Sequence, residues 1–139
     1  MPDRTIALMV PPSRYLEERC RRFAVRVISL VGSLPGHPAA AVVGSQLVRS
    51  ATTIGAQCRA ARHARTRREV RAKLISAETV ADESMYWLHL LIDSRVIPSM
   101  IAAPLVREAQ QLTVALGRRI DGRTASPANR YAAEITRGW

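Results

Sequence analysis

Apolar residues recur at alternating intervals of three and four along most of the chain, as they do on one face of an α-helix. The first stripe follows Pro11-Pro12-Ser13, where Ser13 is a candidate N-cap. Two prolines and a glycine between 34 and 38 cannot continue a helix. The pattern predicts a helix over about 13–34, with the stripe Leu16, Cys20, Phe23, Val27, Leu30 and Leu34.

A second helix is predicted over about 39–65. Gly44 and Gly55 each weaken it by roughly 1 kcal/mol relative to Ala, and both leave room for a neighbouring helix to approach closely. Its apolar stripe consists of Val43, Leu47, Ala51, Ile54, Cys58 and Ala61.

The third helix has the most regular stripe. Thr66 with Glu69 three residues later matches a reciprocal capping box, so this helix should start near Arg67 and extend to about 94. Its stripe follows the left-handed coiled-coil period through Val70, Leu74, Ala77, Ala81, Ser84, Leu88 and Leu91. Met85, Trp87 and Ile92 lie beside the stripe and predict a second apolar contact, for example with another subunit.

The fourth helix can start after Ser99 or near Pro104, since proline is accepted in a first helical turn. The second choice is favoured, giving a helix over 103–118 with a stripe of Leu105, Ala109, Leu112 and Leu116. Together the four helices predict an all-α, up-down-up-down antiparallel bundle, in one domain over 1–121. The remaining 122–139 are predicted to be a mobile tail or an arm that docks on a neighbour.

Composition agrees with packed helices. The chain is 47% hydrophobic but only 4% aromatic, so its core must be mostly aliphatic. Cys20 and Cys58 fall on apolar helix faces, where free cysteine behaves as a small hydrophobe. The sequence shows neither a secretory signal nor a stretch long enough to cross a membrane, and a cytoplasmic protein is expected.

Positive charge is concentrated in one segment. Residues 59–73 carry +6 of the formal net charge of +10, which predicts a polyanionic partner. Helix dipoles favour cations at the end of the second helix but disfavour them at the start of the third, so Arg67, Arg68 and Arg71 either pair with acids elsewhere or serve an anionic ligand. The candidate nucleic-acid-binding residues are Arg59, Arg62, Arg65, Arg67, Arg68, Arg71 and Lys73.

Residue types suited to catalysis form no convincing set. Glu78, Asp82 and Glu83 cluster on the third helix, but salt bridges explain them better than a metal site does. The histidines His37, His63 and His89 have no ligand spacing, and there is no nucleophile with a partnered base and no glycine-rich phosphate motif. The sequence therefore predicts a non-enzymatic protein without cofactor or metal. An enzyme using Glu78 and Asp82 would need a bound metal.

The middle of the chain resembles the bacterial family of 23S rRNA intervening-sequence proteins, which includes the accessory variability protein of diversity-generating retroelements. The resemblance rests on Gln46-Leu47-Val48-Arg49-Ser50-Ala51-Thr52-Thr53-Ile54-Gly55-Ala56, the Arg-rich turn, Glu78, Glu83 and Tyr86-Trp87-Leu88, and covers 15–117. It implies a four-helix bundle that assembles as a homopentamer. Some relatives resemble basic scaffolds for nucleic acid and a reverse transcriptase.

The same resemblance assigns structural-motif positions to Gln46, Arg49, Gln57, Glu83 and Trp87. It implies an ion pair between Arg49 and Glu83 that joins the second and third helices. Gln57 stands where the family usually has Asn, and Ala60 replaces a Glu, which argues against a function that requires those two side chains.

Two functions follow. The first is an oligomeric bundle whose Arg-rich turns bind the backbone of RNA or DNA. The alternative is a protein-interaction scaffold, for a reverse transcriptase or another acidic partner, in which the arginines contact the partner or a neighbouring subunit.

Overall fold

The computed structural model describes residues 13–121, and these form four helices with no strand among them. The helices are α1 (Arg14–Gly32), α2 (Pro38–His63), α3 (Arg67–Asp93) and α4 (Ser99–Asp121). The all-α class predicted from the sequence is confirmed. Residues 1–12 and the predicted tail at 122–139 lie outside the described residues.

The fourth helix starts at Ser99, so the predicted start at 103 was wrong. The carbonyl of Pro98 accepts from the backbone N–H groups of Ile101 and Ala102, so the first turn forms before Pro104 is reached. Pro104 lies inside α4 and cannot donate to the carbonyl of Met100. Because Met100 is 84% exposed, water can satisfy that carbonyl.

Consecutive helices pack against each other, and α1 also contacts α4, so the four helices enclose one shared core. Every predicted stripe residue of α3 and α4 is buried, and so are the α1 stripe residues from Leu16 to Leu30. On α2 the buried positions near the start are Ala40 and Gly44, whereas Val43 is only half-buried. The helical periodicity therefore identifies the core with few exceptions.

Side chains cap the N-termini of α1, α2 and α3. Ser13 accepts from the backbone N–H of Leu16, and Thr66 accepts from that of Glu69 at 3.1 Å. His37 caps α2 by accepting from the backbone N–H of Ala40 through Nδ1, which the sequence did not indicate. After α3, Arg95 adopts a left-handed conformation with φ of 62°, a position where glycine is more usual.

Candidate nucleic-acid interface

The basic segment 59–73 occupies the end of α2, the connecting turn and the start of α3. In the turn, Thr66 caps α3 as predicted, but the carboxylate of Glu69 accepts from the backbone N–H of Arg65 rather than completing a reciprocal box with Thr66. Glu69, the one acid of the segment, is thus oriented by the backbone of the turn.

Six of the seven candidate cations in this segment are exposed. Arg65 and Arg68 lie at the turn, while Arg59 lies about one helical turn before the end of α2 and Lys73 somewhat less than two turns after the start of α3. Within residues 13–121, none of these four side chains forms an ion pair. Arg67 and Arg71 are exposed as well, and each takes part in a further polar interaction.

Arg62 differs from the other six. Its side chain is only 26% exposed, and its Nε atom lies 3.0 Å from a carboxylate oxygen of Glu17 on α1. Neither of these two atoms has a partner in hydrogen-bond geometry, so the contact is electrostatic. The structure therefore assigns Arg62 a contact between α1 and α2 as well as a place in the basic segment.

Arg62 and Arg59 also line a groove of about 590 Å³ between α1 and α2. From α1 the groove is lined by Arg14 and Arg21, which the sequence analysis did not single out. No local pattern marks these two arginines, because only the packing of α1 on α2 places them opposite the basic segment. The other lining residues are Glu17, Glu18, Cys20, Ala24, Thr52, Gly55 and Ala56.

The expected ion pair between Arg49 and Glu83 does not occur among the ion pairs of residues 13–121. Instead, the half-buried Glu83 accepts from Nε1 of Trp87, one helical turn along α3, at 3.0 Å. Arg49 is exposed on α2. The local indole donor thus satisfies Glu83 without a partner from another helix.

The other two motif positions lie on α2. Gln46 and Gln57 are both half-buried, and Oε1 of Gln57 is shielded from solvent without a hydrogen-bond partner. Gln57 is the position where the resemblance anticipates Asn. An unsatisfied carbonyl there shows that the longer side chain does not find a partner within the described chain.

The three candidate acids of α3 differ in how deeply they are buried. Glu78 is buried, whereas Asp82 and Glu83 are half-buried, and desolvation raises the pKa of Asp82 above its usual value. Within residues 13–121, no group of three or more His, Cys, Asp or Glu side chains is arranged to hold a metal ion. His37 serves as a cap, while His63 and His89 are exposed on α2 and α3.

Cys20 and Cys58 meet in the core between α1 and α2. Both are reduced and fully buried, with their Sγ atoms 3.8 Å apart. The hydrogen bond with Cys58 and burial both raise the pKa of Cys20, so this thiol stays protonated at neutral pH.

Together, the fold and the site define a small all-α helical bundle with a basic surface at the α2–α3 turn. Residues 16–118 match the model of the 23S rRNA-intervening sequence protein family. The chain belongs to this family, which confirms the resemblance drawn from its α2 and α3 motifs.

A similar solved structure is a protein of unknown function from the S23 ribosomal protein family of Bacteroides thetaiotaomicron VPI-5482. It is 30% identical to this chain, with a TM-score of 0.72, and the alignment covers 76% of this chain and 95% of that one. A search of curated proteins gives no significant match. Over residues 13–121, no helix has both the length and the apolar character needed to cross a membrane.

Proposed function

We propose that this protein is a non-enzymatic, cytoplasmic bundle that binds the backbone of RNA or DNA through the α2–α3 turn. The observation that carries the proposal is the exposure of Arg59, Arg65, Arg68 and Lys73 without an ion-pair partner among residues 13–121. Uncompensated cations on one surface attract polyanions and release the counterions that surround nucleic acid.

The chemistry of the turn favours phosphate recognition over base recognition. Each guanidinium offers a planar fork of donors that suits a phosphate group. The segment 59–73 contains no aromatic residue on which a base could stack. Binding should therefore depend little on nucleotide sequence and should weaken steeply with salt.

The proposal includes an up-down-up-down order of helices, which the short connections favour, and assembly as a homopentamer, which the family implies. Symmetry would repeat the basic turn five times and make binding multivalent. Light scattering should then give about five times the 15.3 kDa mass of one chain. A measured mass equal to that of a single chain would contradict both the pentamer and the multivalent binding.

The direct test is fluorescence anisotropy of a labelled single-stranded RNA at low salt. The variant Arg65→Ser/Arg68→Ser/Lys73→Ser should bind at least roughly tenfold more weakly than the unchanged protein. The control Arg26→Ser/Arg95→Ser/Arg107→Ser removes the same charge from exposed positions away from the turn and should retain most of the affinity. Equal losses in the two variants would show that net charge alone governs binding.

A protein-interaction scaffold is the second candidate, and exposed apolar side chains favour it. Tyr86 is 57% exposed on α3, where its ring lies edge-on to Trp87 at a centroid distance of 5.0 Å. Tyrosine and tryptophan are enriched where proteins contact each other. An acidic polypeptide, such as part of a reverse transcriptase, would then occupy the arginines, and it should bind more tightly than RNA at equal salt.

A further inference from the structure

We propose that the groove between α1 and α2 binds a phosphodiester backbone and continues the nucleic-acid-binding surface of the turn. Arg14 and Arg21 of α1 would hold phosphates together with Arg59 and Arg62 of α2. This inference rests on the proposed function. It adds Arg14 and Arg21, two cations from α1, to the basic surface of the α2–α3 turn.

The groove is open enough to admit a chain. Its volume of about 590 Å³ lies within the range of ligand-binding pockets. The residues between the arginines are small, with Ala24 on α1 and Gly55 and Ala56 on α2. At Gly55 the two helices are in ordinary van der Waals contact, since a Cβ atom there would lie 3.6 Å from the Cβ of Cys20. Long cationic side chains thus border a shallow floor of small residues.

Hydrogen-bond donors outnumber acceptors among the polar side chains of the groove, because four arginines line it against two carboxylates. Arginine is a donor only. Glu17 lies against Arg62, and Glu18 lies 3.5 Å from Arg21 and 3.7 Å from Arg22. The hydroxyl of Thr52 donates to backbone carbonyls of its own helix.

A phosphodiester backbone matches this chemistry, because its phosphates accept hydrogen bonds and donate none. A peptide in the same groove would bring backbone N–H groups that need acceptors, and the groove offers them only Glu17 and Glu18, whose carboxylates already lie against arginines. The groove therefore favours nucleic acid over an acidic polypeptide.

The position of the arginines makes the groove continuous with the turn. Arg14 and Arg21 are seven residues apart, or about 10 Å along α1. On the opposite wall, Arg59 and Arg62 are separated by one helical turn and belong to the basic segment. A strand that contacts Arg65 and Arg68 can continue past Arg62 into the groove without leaving cationic surface.

Two kinds of variant test the groove. Arg14→Ser/Arg21→Ser removes charge, and its matched control is Arg26→Ser/Arg107→Ser. Ala56→Trp fills the groove without changing charge, and its control is Ala41→Trp at another exposed position of α2. Circular dichroism and light scattering on each variant verify that the fold and the assembly are retained.

The readout is the affinity for a single-stranded RNA measured over a range of salt concentrations. Arg14→Ser/Arg21→Ser should weaken binding roughly tenfold at low salt and reduce the slope of log K against log salt by about 1.4, since each lost phosphate contact removes about 0.7. Ala56→Trp should weaken binding at low salt, and both controls should match the unchanged protein.

Failures of the two proposals can be told apart. If the turn variant loses affinity while Arg14→Ser/Arg21→Ser and Ala56→Trp bind normally, the groove inference is overturned and the turn still binds RNA. If the unchanged protein binds no RNA at low salt, both fail. A groove that binds poly-glutamate more tightly than RNA of equal charge would also overturn the inference.

Discussion

Glu17 of α1 places a carboxylate oxygen 3.0 Å from Nε of Arg62 on α2, in the wall of the α1–α2 groove. The two atoms are shielded from solvent and lack hydrogen-bond geometry. The carboxylate of Glu17 offsets the positive charge of Arg62, but the other N–H donors of the Arg62 guanidinium remain available to a ligand. Glu17 therefore competes with any phosphate that approaches Arg62.

Replacing Glu17 by Gln should tighten RNA binding. Glu17→Gln removes the competing carboxylate and adds one positive unit to the groove, and we expect affinity to rise roughly three- to tenfold at low salt. The control Asp93→Asn adds the same charge at the exposed end of α3. Anisotropy titrations compare the two, and an equal or smaller effect of Glu17→Gln would contradict the role assigned to this pair.

The two glycines of α2 should respond differently to alanine. At Gly44 a Cβ atom would lie 3.0 Å from side-chain atoms of both Leu34 and Val31, whereas the nearest contact at Gly55 is an ordinary 3.6 Å. Val31 is β-branched on α1 and has little freedom to move away. Gly55→Ala should therefore gain up to about 1 kcal/mol from helix propensity, while overpacking makes Gly44→Ala about 1–2 kcal/mol less stable than Gly55→Ala. Urea unfolding measures both, and equal stabilities would contradict the close approach at Gly44.

The two thiols should be unreactive in the folded protein. Both are fully buried, and the raised pKa of Cys20 lowers its fraction of reactive thiolate. The hydrogen bond with Cys20 lowers the pKa of Cys58, so burial alone protects that thiol. Alkylation by iodoacetamide near pH 8, followed by mass spectrometry, should be slow for the native chain and fast in denaturant. Rapid native alkylation of either cysteine would show that α1 and α2 separate easily.

Asp82 should make stability depend on pH in a specific direction. Because desolvation raises its folded pKa above the unfolded value, folding favours the protonated form. The associated stability is complete below the unfolded pKa and decreases as pH rises through the folded pKa. Asp82→Asn should therefore stabilise the protein at pH 7, by less than about 1 kcal/mol since much of the side chain remains solvated, and the gain should vanish at about pH 3. Thermal unfolding at both pH values checks this, and a gain that persists at low pH would exclude desolvation as its cause.

Local patterns were sufficient to predict α3. All seven positions of its stripe, from Val70 to Leu91, are buried, and Thr66 caps it at the predicted residue. The start of α4 was harder to predict because Pro104 resembles a first-turn proline. A proline deeper in a helix is tolerated where the carbonyl it leaves unpaired is exposed, and that depends on the tertiary fold.

The candidate site could be predicted only in part. The boundaries of α2 and α3 placed the basic segment at their connection, as found. The contact of Arg62 with Glu17 and the positions of Arg14 and Arg21 depend on how α1 packs against α2, and no spacing within a single helix reveals them. The expected pair of Arg49 and Glu83 was wrong because a nearer donor, Trp87, lies on the same helix.

The salt dependence of RNA binding tests the central claim most directly. For the unchanged protein, log K should fall linearly with log salt, with a slope near −0.7 for each phosphate contacted, so the exposed turn residues Arg59, Arg65, Arg68 and Lys73 predict a slope of about −3 or steeper. No binding at low salt, or binding that is insensitive to salt, would contradict a function based on the phosphate backbone.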